Sequence, residues 1–167
     1  MKFPGVNVYG CAPSSTPFAP VHRSLDPDFF ALLTGSYERL VGKTLVPEGT
    51  DAKWLYAKAP FAVLAHDLSE DPKFIYANSC AQACFEYDWD EITKLQSRLS
   101  AEPADRAERQ ILLDAVARHG FMSGYRGIRV AKSGQRFVIE DGILWELIDA
   151  DGRRHGQAAT FSSWRSV

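Results

Sequence analysis

Two long segments of the chain carry hydrophobic residues at the spacing of an amphipathic helix. The first runs from Pro27 to about Val41, between Asp26, whose side chain can accept from the first free amides, and Gly42, which can end the helix. The second runs from Pro103 to His119 and is followed by Gly120. The pattern therefore predicts two main helices.

Hydrophobic runs of strand length lie on both sides of the second helix. Strands are predicted, with turn residues between neighbours, at 61–65, 73–77, 125–131, 136–148 and about 155–164. Asn78 and the pair Asp88 and Glu91 can begin two short helices between them. This order predicts an α+β fold, with an antiparallel sheet and helices on one of its faces.

Two of the predicted strands are hydrophobic on both faces. Ile143, Trp145 and Leu147 alternate with Leu144 and Ile148 along one of them. Helices on one side would leave the second face in water. We therefore expect the helix at 27–41 to cover it, in the same chain or in a second copy, and we expect a homodimer.

Composition and charge narrow the choice of partner. The chain has 167 residues, 46% of them hydrophobic, which suits one globular domain. A formal net charge of -2 gives no positive field for nucleic acid, and no hydrophobic run is long enough to span a membrane. Three cysteines, an odd number, and an N-terminus without a signal peptide indicate the cytoplasm.

Several short motifs resemble a known family of small domains. The run from Phe74 to Asn78, and later Gly124 to Arg129 before Lys132 to Phe137, are similar to PAS domains. A narrower set resembles the MEKHLA domain, a PAS-like family of small bacterial proteins that is also found at the C-terminal end of plant homeodomain leucine-zipper transcription factors. Its runs are Ala65-His66-Asp67, Phe74 to Asn78, Ser97 to Pro103, Gly120-Phe121 and His155 to Phe161.

The resemblance implies a PAS-like five-stranded antiparallel sheet around short helices, with room for a small-molecule ligand between them. Adding the N-terminal helix divides the chain into a flexible arm (1–24), a helical extension (25–59) and a PAS-like MEKHLA domain (60–167). PAS-like domains bind haem, flavin, metabolites or nothing, so the ligand and any cofactor stay unknown.

The expected ligand site lies in this cavity. We assign to it the following residues: Leu64, His66, Tyr76, Cys84, Arg98, Leu99, Leu112, Val116, His119, Ile128 and Trp145. Arg98 could clamp a carboxylate or phosphate, or pair with Glu102 at the surface. His66 could lie at the cavity mouth or pair with Asp67. His119 could ligate haem or stabilise the end of its helix.

Other chemistry has less support in the sequence. Cys80 and Cys84 are one helical turn apart, but two ligands do not complete a zinc site. A flavin photosensor of the PAS class would carry a cysteine near Ser97 to Ser100, where this chain has none, which disfavours light sensing. No hydrolase or phosphate-binding motif occurs, and we expect no enzymatic activity.

These observations predict a non-catalytic sensory or signalling module that binds a small ligand, a protein partner or both. One alternative is a structural dimerisation or interaction protein with a filled core. A second is a small enzyme or a haem protein that uses the histidines and cysteines.

Overall fold

The computed structural model describes residues 22–167. Within this range the helices are α1 (Pro27–Val41), α2 (Ala52–Ala57), α3 (Ser79–Phe85), α4 (Trp89–Ile92) and α5 (Arg106–His119). The strands are β1 (Ala62–His66), β2 (Phe74–Ala77), β3 (Phe121–Val130), β4 (Arg136–Ile148), β5 (Arg154–Phe161) and β6 (Ser163–Ser166). The flexible arm predicted for residues 1–24 lies almost wholly outside the described residues.

The strands form one antiparallel sheet. Their order is β2-β1-β5-β4-β3, and β6 pairs with β4 beyond the end of β5. The last predicted strand, residues 155–164, is therefore divided in two, although both parts pair along the same neighbour. The predicted α+β fold, an antiparallel sheet with short helices and an added N-terminal helix, is confirmed.

Most helix ends form where the local sequence predicts them, although α5 begins at Arg106, three residues after the predicted start at Pro103. Asp26 accepts a hydrogen bond from the amide of Asp28 at 2.9 Å, and Gly42 ends α1 with a left-handed backbone (φ 78°). Asn78 caps α3 through the amide of Ala81. These contacts satisfy amides and carbonyls that a helix leaves free at its ends, so they fix where each helix begins and ends.

Strand β4 changes the side of the sheet that its side chains face. Asp141 has a left-handed backbone (φ 52°) in the middle of the strand. Ile139 and Leu144 lie on either side of it, an odd number of residues apart, yet both pack into the same core. In a regular strand such residues face opposite sides, so the irregularity at Asp141 shifts the alternation by one residue.

Buried side chains form two clusters, one on each face of the sheet. The inner face packs against α3, α4 and α5, with Leu64, Phe85, Val116 and Phe161 among its members. The outer face packs against α1 and α2. The sheet is therefore enclosed between two helical layers, and both of its hydrophobic faces are withdrawn from water.

Helix α1 covers the outer face of its own chain. The ring of Tyr37 meets Trp145 edge-on, with 5.0 Å between the ring centroids, and the indole Nε1 of Trp145 donates to Ser36 Oγ at 3.0 Å. Arg39 donates to the carbonyl of Ile148 at 2.5 Å. Helix α1 thus covers, within its own chain, the second hydrophobic face of the sheet that the sequence predicts. The homodimer stays a prediction.

Candidate functional site

A small cavity lies between the inner face of the sheet and helix α5. Its volume is about 60 Å³. Hydrophobic side chains form most of the wall, among them Leu64, Phe74, Phe85, Leu112, Leu144 and Phe161. This space suits a few water molecules or one compact organic group, because pockets for larger ligands are about 300 to 1,000 Å³.

Polar side chains interrupt this hydrophobic wall. They are His66, Ser100, Arg109, Tyr125, Arg129, Gln157 and Thr160. Helix α5 supplies one arginine, and β3 supplies the other arginine and the tyrosine. Charged groups are rarely buried against hydrophobic walls unless they are paired, so this group of side chains is the chemically distinctive part of the cavity.

Arg109 is buried without a partner among the described residues. Its exposed fraction is 8%, and no carboxylate in the described range lies within ion-pair distance of it. Residues 1–21 contain no Asp or Glu, so that segment has no side-chain carboxylate to offer. Burial, and then the positive charge of Arg129, lower the pKa of Arg109 to about 10.

Arg129 and Tyr125 form a buried pair beside Arg109. The guanidinium of Arg129 donates to the Tyr125 hydroxyl, and also to the carbonyl of Ile128 at 2.8 Å. Burial lowers the pKa of Arg129 and raises that of Tyr125. Gly127 leaves room for this arrangement, because a Cβ atom there would lie 2.0 Å from the Tyr125 hydroxyl. Two positive charges therefore face the cavity region.

His66 brings a further unpaired polar atom to the cavity. Its Nδ1 lies 3.0 Å from the backbone carbonyl oxygen of Asp67. Because a carbonyl oxygen only accepts hydrogen bonds, Nδ1 carries the proton of the neutral ring and Nε2 is an acceptor. Nε2 is buried and has no hydrogen-bond partner among the described residues. Burial lowers the pKa of His66, and the charge of Arg109 adds to this effect, so the neutral ring is favoured.

The buried carboxylate nearest to this group is already paired. Glu146 is 1% exposed and accepts from Arg154 at 3.0 Å and from the side-chain amide of Gln157 at 2.6 Å. Gln157 also donates to the carbonyl of Leu113 on α5. This network fixes Gln157 at the cavity wall and leaves Glu146 committed to Arg154.

Only some of the predicted site residues line this cavity. Leu64, His66 and Leu112 do so. Val116 lies in the inner core and Cys84 packs at its edge, but neither reaches the cavity wall, and Leu99 does not reach it either. Ile128 lines a separate groove that borders Arg109 and Arg129.

Two predicted lining residues lie on the wrong face. Tyr76 and Trp145 belong to the outer cluster under α1 and α2. Both strands are hydrophobic on both faces, so the sequence gives no polar alternation to fix which side chains point inward. Irregular pairing between Ala65 and His66, and the backbone of Asp141, then shift the alternation within the neighbouring segments.

The predicted polar ligands are placed differently from our expectation. Arg98 pairs with Asp71, not with Glu102, at 3.1 Å in an exposed position. His119 is exposed at the end of α5 and does not line the cavity, so it is not placed to ligate haem there. His66 lies at the cavity, but its contact with Asp67 is to the backbone.

Sequence reasoning missed Arg109, Arg129 and Tyr125. A charged residue of an amphipathic helix is normally assigned to its solvent side, which would place Arg109 there. It stands three residues before Leu112 and seven before Val116, so helical spacing puts all three on one face. That spacing was the available signal.

The cysteines and acidic residues of the described range do not form a metal centre. No group of three or more His, Cys, Asp or Glu side chains comes together within residues 22–167. Burial raises the pKa of Cys84 to about 12 and also raises that of Cys80. Both thiols are therefore held in the protonated, weakly nucleophilic form.

The family model of the MEKHLA domain matches residues 27–166, which includes α1 and the whole sheet. The chain belongs to the MEKHLA domain family. No curated protein matches this MEKHLA domain. Within the described residues, no helix is both long and hydrophobic enough to cross a membrane.

Solved structures with the same fold are PAS and light-oxygen-voltage domains. A PAS domain from Colwellia psychrerythraea is 16% identical, with a TM-score of 0.57 over 70% of this chain and 92% of that one. The light-state dimer of the fungal blue-light photoreceptor Vivid is 18% identical, with a TM-score of 0.59 over 87% and 97% of the two chains. At this identity the likeness shows a PAS-like fold. The cavity of this MEKHLA domain, about 60 Å³, does not fit a flavin.

Proposed function

We propose that this MEKHLA domain is a sensory or signalling module that binds a small ligand in the cavity between the sheet and α5 and catalyses no reaction. The observation that carries the proposal is the buried Nε2 of His66, which has no hydrogen-bond partner among the described residues. An unpaired buried polar atom is costly, about 1 to 3 kcal/mol, and a ligand or bound water would remove that cost.

The same strand that lines the cavity also contacts the N-terminal helix. Leu144 lines the cavity, and the next residue, Trp145, packs against Tyr37 and Ser36 on the other face of the sheet. A ligand that shifts β4 would therefore change the packing of α1. In this proposal α1 is the element that reports ligand binding to a protein partner.

Native mass spectrometry of the protein purified from its own host tests ligand binding. We expect a mass above that of the chain that is lost on denaturation, and slower hydrogen exchange in α1 of the loaded form. A matched control is Leu144→Trp, which fills the cavity and should purify without the extra mass. A wild-type protein with the mass of the chain alone would contradict the proposal.

The small cavity favours one alternative, an interaction module with a filled core. A volume of about 60 Å³ lies well below the range of most ligand pockets. In that case the protein acts through contact alone, and a homodimer is the simplest partner. Light scattering would then give twice 18.6 kDa whether or not a ligand is present.

A further inference from the structure

We propose that the ligand of this cavity is a compact organic carboxylate, whose anionic group pairs with Arg109 and whose hydrophobic body lies against Leu112 and Phe85. This inference rests on the proposed function, because it names the chemical class of the ligand for the same site. It assigns a ligand-binding role to an arginine that the sequence motifs do not single out.

Arg109 has no counter-ion among the described residues. The side chain is 8% exposed, and no carboxylate within residues 22–167 forms an ion pair with it. Glu146, the buried carboxylate of the neighbouring strand, is occupied by Arg154. Asp105 and Glu108 border the same groove as the arginine but form no ion pair with it. A buried cation without a partner destabilises the folded protein, and an anionic ligand would supply the partner.

The positive charge of Arg129 lies beside that of Arg109. This guanidinium is 9% exposed and also lacks an ion-pair partner in the described range; its hydrogen bonds go to neutral oxygens of Tyr125 and Ile128. Two like charges close together raise the cost of burial further. One carboxylate placed between them would relieve both, since arginine binds carboxylates in a planar, two-point geometry.

The rest of the cavity wall is mainly hydrophobic, and the cavity is small. Leu64, Phe74 and Phe161 surround the space beside the arginines. An inorganic phosphate would leave these side chains against a hydrated ion, whereas a carboxylate with a hydrophobic body matches both the arginines and the hydrophobic wall. The acceptor Nε2 of His66 then takes its hydrogen bond from a bound water, because a carboxylate has no proton to donate. A volume of about 60 Å³ limits that body to a compact one.

Arg109 also lies where a ligand could enter. Besides the cavity, it borders an outer groove of about 300 Å³. That groove contains Arg98 and Arg154, each paired with a carboxylate, as well as Asp67, Glu70 and Asp114. Arg109 lies between this groove and the hydrophobic space.

Calorimetric titration of the full chain with a matched set of compounds tests the class of ligand. The probes are sodium acetate, propionate, butyrate and benzoate, near neutral pH and at constant ionic strength. The controls are the corresponding amides, which keep the shape and lose the charge. We expect saturable binding of at least one carboxylate, and binding of its amide weaker by about tenfold or more.

Two variants separate the role of Arg109 from a general effect of charge. Arg109→Gln should weaken carboxylate binding by about tenfold or more and remove the preference over the amide. Arg118→Gln changes the net charge equally on the same helix, at an exposed position, and should bind as the wild type does. Circular dichroism of Arg109→Gln, expected to match the wild type, shows that the loss of binding is not a loss of fold.

The outcomes distinguish this inference from the proposed function. If amides bind as tightly as carboxylates, the cavity is a ligand site but the carboxylate inference is wrong. If none of the carboxylates binds, or if Arg109→Gln binds them as tightly as the wild type does, the inference is also wrong. In both cases native mass spectrometry of protein from its own host decides separately whether another ligand is present.

Discussion

Replacing Arg109 by Met should stabilise the ligand-free protein. Burial and Arg129 lower the pKa of Arg109 from its ordinary value to about 10. The folded protein therefore holds this proton less tightly than the unfolded chain, in which the pKa of arginine keeps its ordinary, higher value. At neutral pH both states carry the charge, so the full cost is present, and it falls only as the pH rises through about 10.

The size of the effect follows from the same numbers. Each factor of ten in the acid dissociation constant is worth about 1.4 kcal/mol. The lowering of the pKa of Arg109 to about 10 corresponds to about 3 kcal/mol of destabilisation of the folded protein by the buried charge. Met has a long unbranched side chain and a good helix propensity, so it keeps most of the packing. We expect a gain of about 1 to 3 kcal/mol in the free energy of unfolding.

Urea unfolding followed by tryptophan fluorescence measures this gain. Arg118→Met is the matched control, since it removes an exposed charge from the same helix and should change the free energy of unfolding by less than about 0.5 kcal/mol. A loss of stability in Arg109→Met would refute the reasoning, because it would mean that the guanidinium has a stabilising partner. A gain in the free energy of unfolding would show that the natural arginine destabilises the ligand-free protein.

Three further predictions concern the fold and assembly. Gly156→Ala would place a Cβ atom 2.0 Å from a backbone oxygen of β1, so chemical denaturation should show a loss of about 3 kcal/mol or more in the free energy of unfolding. The control Gly152→Ala, in open space with φ 83°, should lose only about 1 to 2 kcal/mol. Ser36→Ala leaves the indole N–H of Trp145 without an acceptor and should cost about 1 to 3 kcal/mol in the same assay, whereas Thr34→Ala, whose hydroxyl bonds only within α1, should cost less. Light scattering at micromolar concentration should give twice 18.6 kDa if the predicted homodimer forms, and a mass of one chain would leave α1 as a cover for its own sheet alone.

Helix boundaries could be predicted because they depend on residues close together in the sequence. Asp26, Asn78 and Gly42 act on amides and carbonyls within a few residues of themselves, so the amino acid type almost determines its role. The antiparallel sheet followed in the same way, from short hydrophobic runs separated by turn residues and from the resemblance to the family.

The direction of side chains in the sheet could not be predicted with the same success. Trp145 and Tyr76 lie on the outer face because two local irregularities shift the alternation. A strand that is hydrophobic on both sides offers no polar residue to mark its solvent face. The error is one residue in register, which exchanges every side chain between the two faces.

The charged part of the site depends on tertiary structure in a further way. Helical spacing puts Arg109 on the face of Leu112, but only the folded structure shows that no carboxylate of the described residues pairs with it. The absence of a partner is a property of several separate elements, namely α5, β3 and β4. Sequence patterns describe neighbours along one element and carry no information of this kind.

Native mass spectrometry of three proteins purified in parallel from the natural host tests the central claim most directly. We expect wild type and Arg118→Gln to carry a bound compound that fragmentation identifies as a carboxylic acid. Arg109→Gln should carry none, although it is folded. A wild type without any bound compound, or an Arg109→Gln variant that retains the same compound, would contradict the account.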